Sequence, residues 1–97
     1  MQFERETPKV RFVIPDRPTA RQQLAYYSAT AGVIDREYLE RLWVGARTLI
    51  TEWESDVCQL DTNLDEVTNP SIVDVMLWAA LQVKGHINKL EDLPPNS

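Results

Sequence analysis

The chain has 97 residues, a formal net charge of -5 and a sequence pI near 4.7, with 43% hydrophobic and 26% charged residues. That length fits one domain, and the composition is that of a globular protein rather than a chain disordered throughout. The acidic balance argues against non-specific nucleic-acid binding and against docking on anionic membranes, both of which depend on Lys and Arg.

A domain of this size buries only roughly 60–65% of the surface its unfolded chain exposes, so its stability is modest and help from a partner is plausible. Cys58 is the single cysteine, which rules out an intrachain disulfide and suits a reducing cytosol. No stretch reaches the ~20 apolar residues of a transmembrane helix. Met1-Gln-Phe-Glu-Arg-Glu lacks the basic-then-apolar form of a signal peptide, so a cytoplasmic location is expected.

The first element is a short strand over 9–14, where Val10, Phe12 and Ile14 alternate with Lys9 and Arg11 before Pro15. Gln2 to Arg5 offers a weaker second strand, with a turn near Glu6-Thr-Pro-Lys9. A two-stranded hairpin is marginal in water, so it must lie on the helices or be completed by another chain.

Three helices are expected after it, near 18–31, 35–54 and 70–91. The first begins at Pro18 or Thr19 and stops at Gly32. Asp35 is a suitable N-cap for the second, with Ile34 and Leu39 forming a hydrophobic staple. Leu39, Leu42, Trp43, Ala46, Leu49, Ile50 and Trp53 then follow 3–4 spacing as one apolar stripe. That spacing makes Trp43 and Trp53 core residues of a helical body. Gly45 interrupts the stripe at a helix cost of ~1 kcal/mol relative to Ala, which suggests either close approach of another backbone there or an unselected weak point.

Residues 54 to 70 form a polar, acidic connection pinned by Val57, Leu60, Leu64 and Val67. Asn69 caps the third helix, with Pro70 in its first turn. Ile72, Met76, Ala79, Ala80, Val83, Ile87 and Leu90 share one face of that helix. Val75, Trp78 and Leu81 project elsewhere and Leu77 flanks them, so its first turns are apolar nearly all round. The fold expected is mainly α: a compact bundle of three principal helices with a short N-terminal strand or hairpin. It forms a single domain over 1–97, with flexible ends at 1–8 and 94–97.

No constellation in the sequence carries chemistry. His86 is the only histidine and lies late in the third helix, where a cation meets the negative end of the helix dipole. Asp61-Thr-Asn-Leu-Asp65 imitates the start of a calcium loop, but Glu66 and Ile72 occupy the places that require Gly and Glu. There is no phosphate loop and no nucleophile elbow. Catalytic, cofactor and metal residues are therefore none, and the expectation is a non-enzymatic domain without cofactor.

The candidate residues are those of a protein interface: Val75, Trp78 and Leu81 on the third helix, and Tyr27, which adjoins Tyr26 and so cannot point inward with it. Tryptophan and tyrosine are favoured interface residues. Charge is uneven as well. Arg5, Lys9, Arg11, Arg17 and Arg21 lie in the first quarter, and no Lys or Arg occurs between Glu52 and Pro70. This is compatible with a solvated surface, with head-to-tail contact between copies, or with a basic grip on an acidic partner.

The order of these segments is a short strand, Val10-Arg-Phe-Val-Ile-Pro; then Pro18-Thr-Ala-Arg-Gln-Gln-Leu; a tryptophan helix, Leu42 to Trp53; an acidic loop; a second tryptophan helix, Leu77-Trp-Ala-Ala-Leu-Gln-Val; and Leu90-Glu-Asp-Leu-Pro-Pro-Asn. From about residue 10 to 96 it resembles the small tail assembly chaperones of long-tailed bacteriophages. The resemblance implies a mainly helical, oligomeric protein without an active site. It would act in the host cytoplasm, coating an extended helical tape-measure client before the tail tube polymerises. The alternatives are a small structural virion subunit, of decoration or connector type, and an acidic inhibitor occupying a basic groove of a host or defence protein.

Overall fold

In a computed structural model, which describes residues 1–31 and 38–91, the hairpin is completed by its own chain. Strands β1 (Gln2–Glu6) and β2 (Lys9–Val13) pair antiparallel through a tight turn containing a cis Thr7–Pro8 bond. A third strand, β3 (Glu52–Ser55), pairs antiparallel with β2, giving the order β1-β2-β3. The helices are α1 (Ala20–Thr30), α2 (Tyr38–Leu49) and α3 (Pro70–Glu91), with one 3₁₀ turn at Leu64–Glu66 before α3.

The fold is therefore α+β, with three helices and a three-stranded antiparallel sheet. This corrects the mainly helical bundle with a short hairpin that the apolar spacing predicts. The difference lies in residues 50–55. The helical spacing runs on to Trp53, but α2 ends at Leu49. The chain then turns, and the Thr51 N–H donates to the Val13 carbonyl at 2.8 Å. Beyond that point Thr51-Glu-Trp-Glu-Ser alternates with period two. Trp53 lies opposite Phe12 on the inner face, and Arg11 lies outside between Glu52 and Glu54 at 3.5 and 3.4 Å. Cross-strand aromatic and opposite-charge pairs are what stabilise a sheet, and here they outweigh helix continuation.

The sheet lays its inner face on α3. Phe3 stacks on Phe12 at 5.0 Å, Phe12 stacks on Trp53 at 5.9 Å, and Trp78 meets Phe12 edge-on at 5.5 Å. Val10, Phe12 and Ile14 are fully buried with Leu42, Trp43, Ala46 and Leu49 of α2 and Val75, Ala79 and Val83 of α3. Trp43 belongs to that core as expected. Trp53 is half-buried and reaches it from β3, with its indole N–H donating to the Cys58 carbonyl at 2.9 Å.

The helix starts follow local chemistry. Thr19 caps α1 in a capping box with Gln22, each side chain accepting from the other's backbone N–H, at 3.2 and 2.8 Å. Asn69 accepts from the Ser71 N–H at 2.9 Å, and Pro70 opens α3. The expected cap at Asp35, staple residue Ile34 and stop at Gly32 lie outside the described residues, as do 94–97. Residues 2–6, at the end expected to be flexible, form β1.

Helix α1 packs on α2 at Gly45. A Cβ there would stand 2.4 Å from Thr30 Cγ2 and 3.1 Å from Tyr26 Cε2, so the glycine makes the notch into which α1 settles. The close approach at Gly45 is thus made by the side chains of α1 and not by the backbone that the sequence suggests.

Candidate functional site: an apolar groove between two helices

The groups most able to do chemistry serve the fold. His86 is buried on α3, with Nε2 2.9 Å from the Asp16 carbonyl, which ties the helix to the chain after β2. Cys58 is buried, and burial pushes its thiol pKa up despite an opposing hydrogen bond from Ser55, which disfavours the nucleophilic thiolate. Burial also pushes Tyr26 up to about 12, with smaller contributions from Tyr38, Tyr27 and Glu91. Among the described residues no three His, Cys, Asp or Glu side chains are grouped to hold a metal ion, and no helix is long and apolar enough to cross a membrane.

A polar cleft of 490 Å³ on the outer side of the sheet is lined by charges of both signs, Glu4, Glu6 and Glu54 alternating with Lys9 and Arg11. Its charges offset one another across the strands, which leaves no concentrated field for a ligand of one sign.

The unspent apolar surface lies elsewhere. Leu39 and Trp43 of α2, Val73, Met76 and Leu77 of α3, and Leu64 and Val67 around the 3₁₀ turn line a groove of 240 Å³. Leu39 is 46% and Val73 44% exposed, whereas Trp43 and Met76 form its buried floor. The α3 side is a ridge, because Val73, Leu77 and Leu81 stand four residues apart and so fall along one edge of the helix. Leu81, 52% exposed, carries that ridge past the groove.

The rim is acidic. Glu40 lines the groove, and exposed Asp65 and Glu66 flank it on the 3₁₀ turn between Leu64 and Val67. None of the three forms an ion pair among the described residues. Trp43 adds a further feature: its indole N–H is the one buried side-chain polar atom among the described residues without a hydrogen-bond partner. Such an orphan typically costs about 1–3 kcal/mol.

The four residues singled out by sequence are not gathered into one surface. Val75 is fully buried in the core. Trp78 is half-buried at the junction of sheet and α3, with the Arg5 guanidinium 5.5 Å above its ring and Arg5 paired to Asp74 at 3.0 Å. Leu81 is exposed. Tyr27 is 40% exposed on α1 and donates its hydroxyl to Glu91 at the end of α3. Leu39, Val73 and Leu77, which line the groove, were not among the four. The local signal for Val73 and Leu77 is their four-residue spacing with Leu81, and Leu39 shows only as part of the apolar stripe of the second helix.

No family model, no curated protein and no solved structure matches the chain. The likeness to phage tail assembly chaperones therefore rests on the order of segments and the placement of tryptophans. One of those segments, Leu42 to Trp53, is split in the structure between α2 and β3.

Proposed function

We propose that the chain is a protein-binding domain whose groove between α2 and α3 takes an amphipathic helical segment with apolar anchors and basic flanks. The observation that carries this reading is the exposure of Leu39 and Val73, with half-buried Leu77 between them, around an apolar floor and beneath an acidic rim. At 240 Å³ the groove is smaller than the ~300–1,000 Å³ of small-molecule sites, and suits an anchor side chain or two. Helix-in-groove recognition uses such anchors at i, i+3, i+4 and i+7. The apolar contacts supply affinity, and Glu40, Asp65 and Glu66 select the charge of the partner.

A phage tail assembly chaperone is the narrower form of this reading, because its client is an extended helical protein. It draws support only from the sequence resemblance. The alternative of a nucleic-acid mimic is not favoured by the sheet, where Arg11 stands between Glu52 and Glu54 and interrupts the acidic surface.

Calorimetric titration with two synthetic amphipathic helices tests the proposal. Both carry the same leucine anchors, one flanked by lysines and the other by glutamates. The lysine-flanked helix should bind roughly tenfold or more tightly, and lose part of that preference in high salt. Binding of neither helix, or equal binding of both, would overturn it.

A further inference from the structure

The groove is matched by a surface of the same molecule that points away from it. Helix α1 buries a single residue, Tyr26, in the notch at Gly45. Its outward side carries Leu24, the most exposed large apolar side chain of the described residues at 69%, with Arg21 and Tyr27 three residues to either side. Residues three apart on a helix are surface neighbours, so the three form a strip with an apolar centre and a basic end. Arg21 is exposed and forms no ion pair among the described residues. This is the chemistry that the acidic, apolar groove selects.

Helix α1 cannot fill the groove of its own chain. It packs on α2 through Gly45, whereas the groove uses Trp43, Leu39 and Glu40. At about 100° of helix rotation per residue, Gly45 and Trp43 stand roughly 200° apart, on opposite flanks of α2. The knob and the hole of one molecule therefore face different ways.

We propose that the groove between α2 and α3 receives the outward face of α1 from a second copy of the chain, joining copies head to tail. Leu24 enters between Leu39, Val73 and Leu77, and Arg21 meets Glu40 on the rim. The inference rests on the groove being a protein-binding site and names its occupant. Because the two surfaces differ, the contact is heterologous: each added copy presents a fresh α1 and a fresh groove, and assembly grows by concentration until a ring closes.

Sedimentation of the full chain over a range of concentrations tests this, together with two variants. Leu24→Asp damages the knob and Val73→Asp the hole, since a carboxylate in either place is desolvated in the contact. Both residues are exposed, so the variants should keep the parent's circular dichroism. The parent should associate progressively, and each variant alone should associate roughly tenfold or more weakly. An equimolar mixture of the two should form dimers and stop there. In that pair the Val73→Asp copy supplies an intact α1 and the Leu24→Asp copy an intact groove. Arg21→Glu should also weaken association, and Glu40→Arg in the same chain should restore it.

A parent that stays monomeric would overturn the proposal, as would a folded variant pair that fails to dimerise on mixing. Persistent association of Leu24→Asp alone would do the same, because it would show a contact without α1. The groove itself is tested separately: a monomeric parent that still binds the lysine-flanked helix loses self-assembly but keeps the groove, whereas one that binds neither loses both.

Discussion

Helices α1 and α3 stand at opposite ends of a scale of commitment to the fold. Helix α3 buries seven residues and forms the floor on which both the sheet and α2 rest. Helix α1 buries one, and is held by the Tyr26 notch, its capping box, and the hydrogen bond from Tyr27 to Glu91. The contrast separates two tasks. Residues facing the α3 core set whether the chain folds, and those on the outside of α1 and around the groove are free to meet a partner.

The largest effect should come from the shared core. Trp43 is 2% exposed between α2 and α3, and truncating a buried tryptophan typically costs about 3–5 kcal/mol. Trp43→Ala should therefore lower the denaturation midpoint severely or unfold the chain. Leu24→Ala on α1, compared with the parent at a concentration where both are monomeric, should stay within about 0.5 kcal/mol of it. Comparable losses for the two in urea denaturation would erase the distinction between the regions.

An intermediate effect is expected where α1 meets α2. In an open helix, Gly to Ala gains ~1 kcal/mol. At Gly45 the new Cβ would meet Thr30 Cγ2 at 2.4 Å, and Thr30 is held by its hydroxyl, which donates to the Tyr26 carbonyl at 3.0 Å. Overpacking of this kind typically costs about 1–3 kcal/mol, so Gly45→Ala should destabilise. Thr30→Ser in the same chain removes the opposing methyl, keeps the hydroxyl and should recover most of the loss. A stabilised Gly45→Ala would show that the notch is loose.

The smallest effect is confined to high pH. The Tyr26 hydroxyl has its pKa raised to about 12 in the folded chain, against an ordinary value of 10.0, chiefly by burial. The folded state thus holds its proton more tightly than the unfolded state. The associated stability is full below pH 10 and is lost as pH rises through about 12. Tyr26→Phe should remove that tyrosine's share of the decline. Tyrosinate absorbance reports the same titration directly, and a Tyr26 signal appearing near its ordinary value would place this side chain in water.

The start of α3 was legible in the sequence because it is local: Asn69 with Pro70 carries its own capping chemistry. The start of α1 was legible only to Pro18 or Thr19, and the Thr19–Gln22 box emerges from the structure. The end of α2 was not legible. Trp53 stands four residues after Leu49, which satisfies a helical stripe, and two residues after Thr51, which satisfies a strand. Only its distant partners decide between them: Phe12 across the sheet and Arg11 between two glutamates. Val75 illustrates the same limit on α3. A helix covered by a sheet on one side and by α2 on another has a wider buried face than a three-helix bundle requires, so a residue that looks surplus in the pattern is core. The groove combines an α3 ridge visible as a four-residue repeat with Leu39 and Leu64, which only the tertiary fold brings beside it.

Methyl-resolved NMR of the full chain during titration with the lysine-flanked helix tests the groove most directly. The methyl signals of Leu39, Val73 and Leu77 should move first and furthest, while those of buried Val10 stay nearly fixed. Movement centred on Leu24 or on the sheet, with the three groove residues unchanged, would contradict the assignment of this surface.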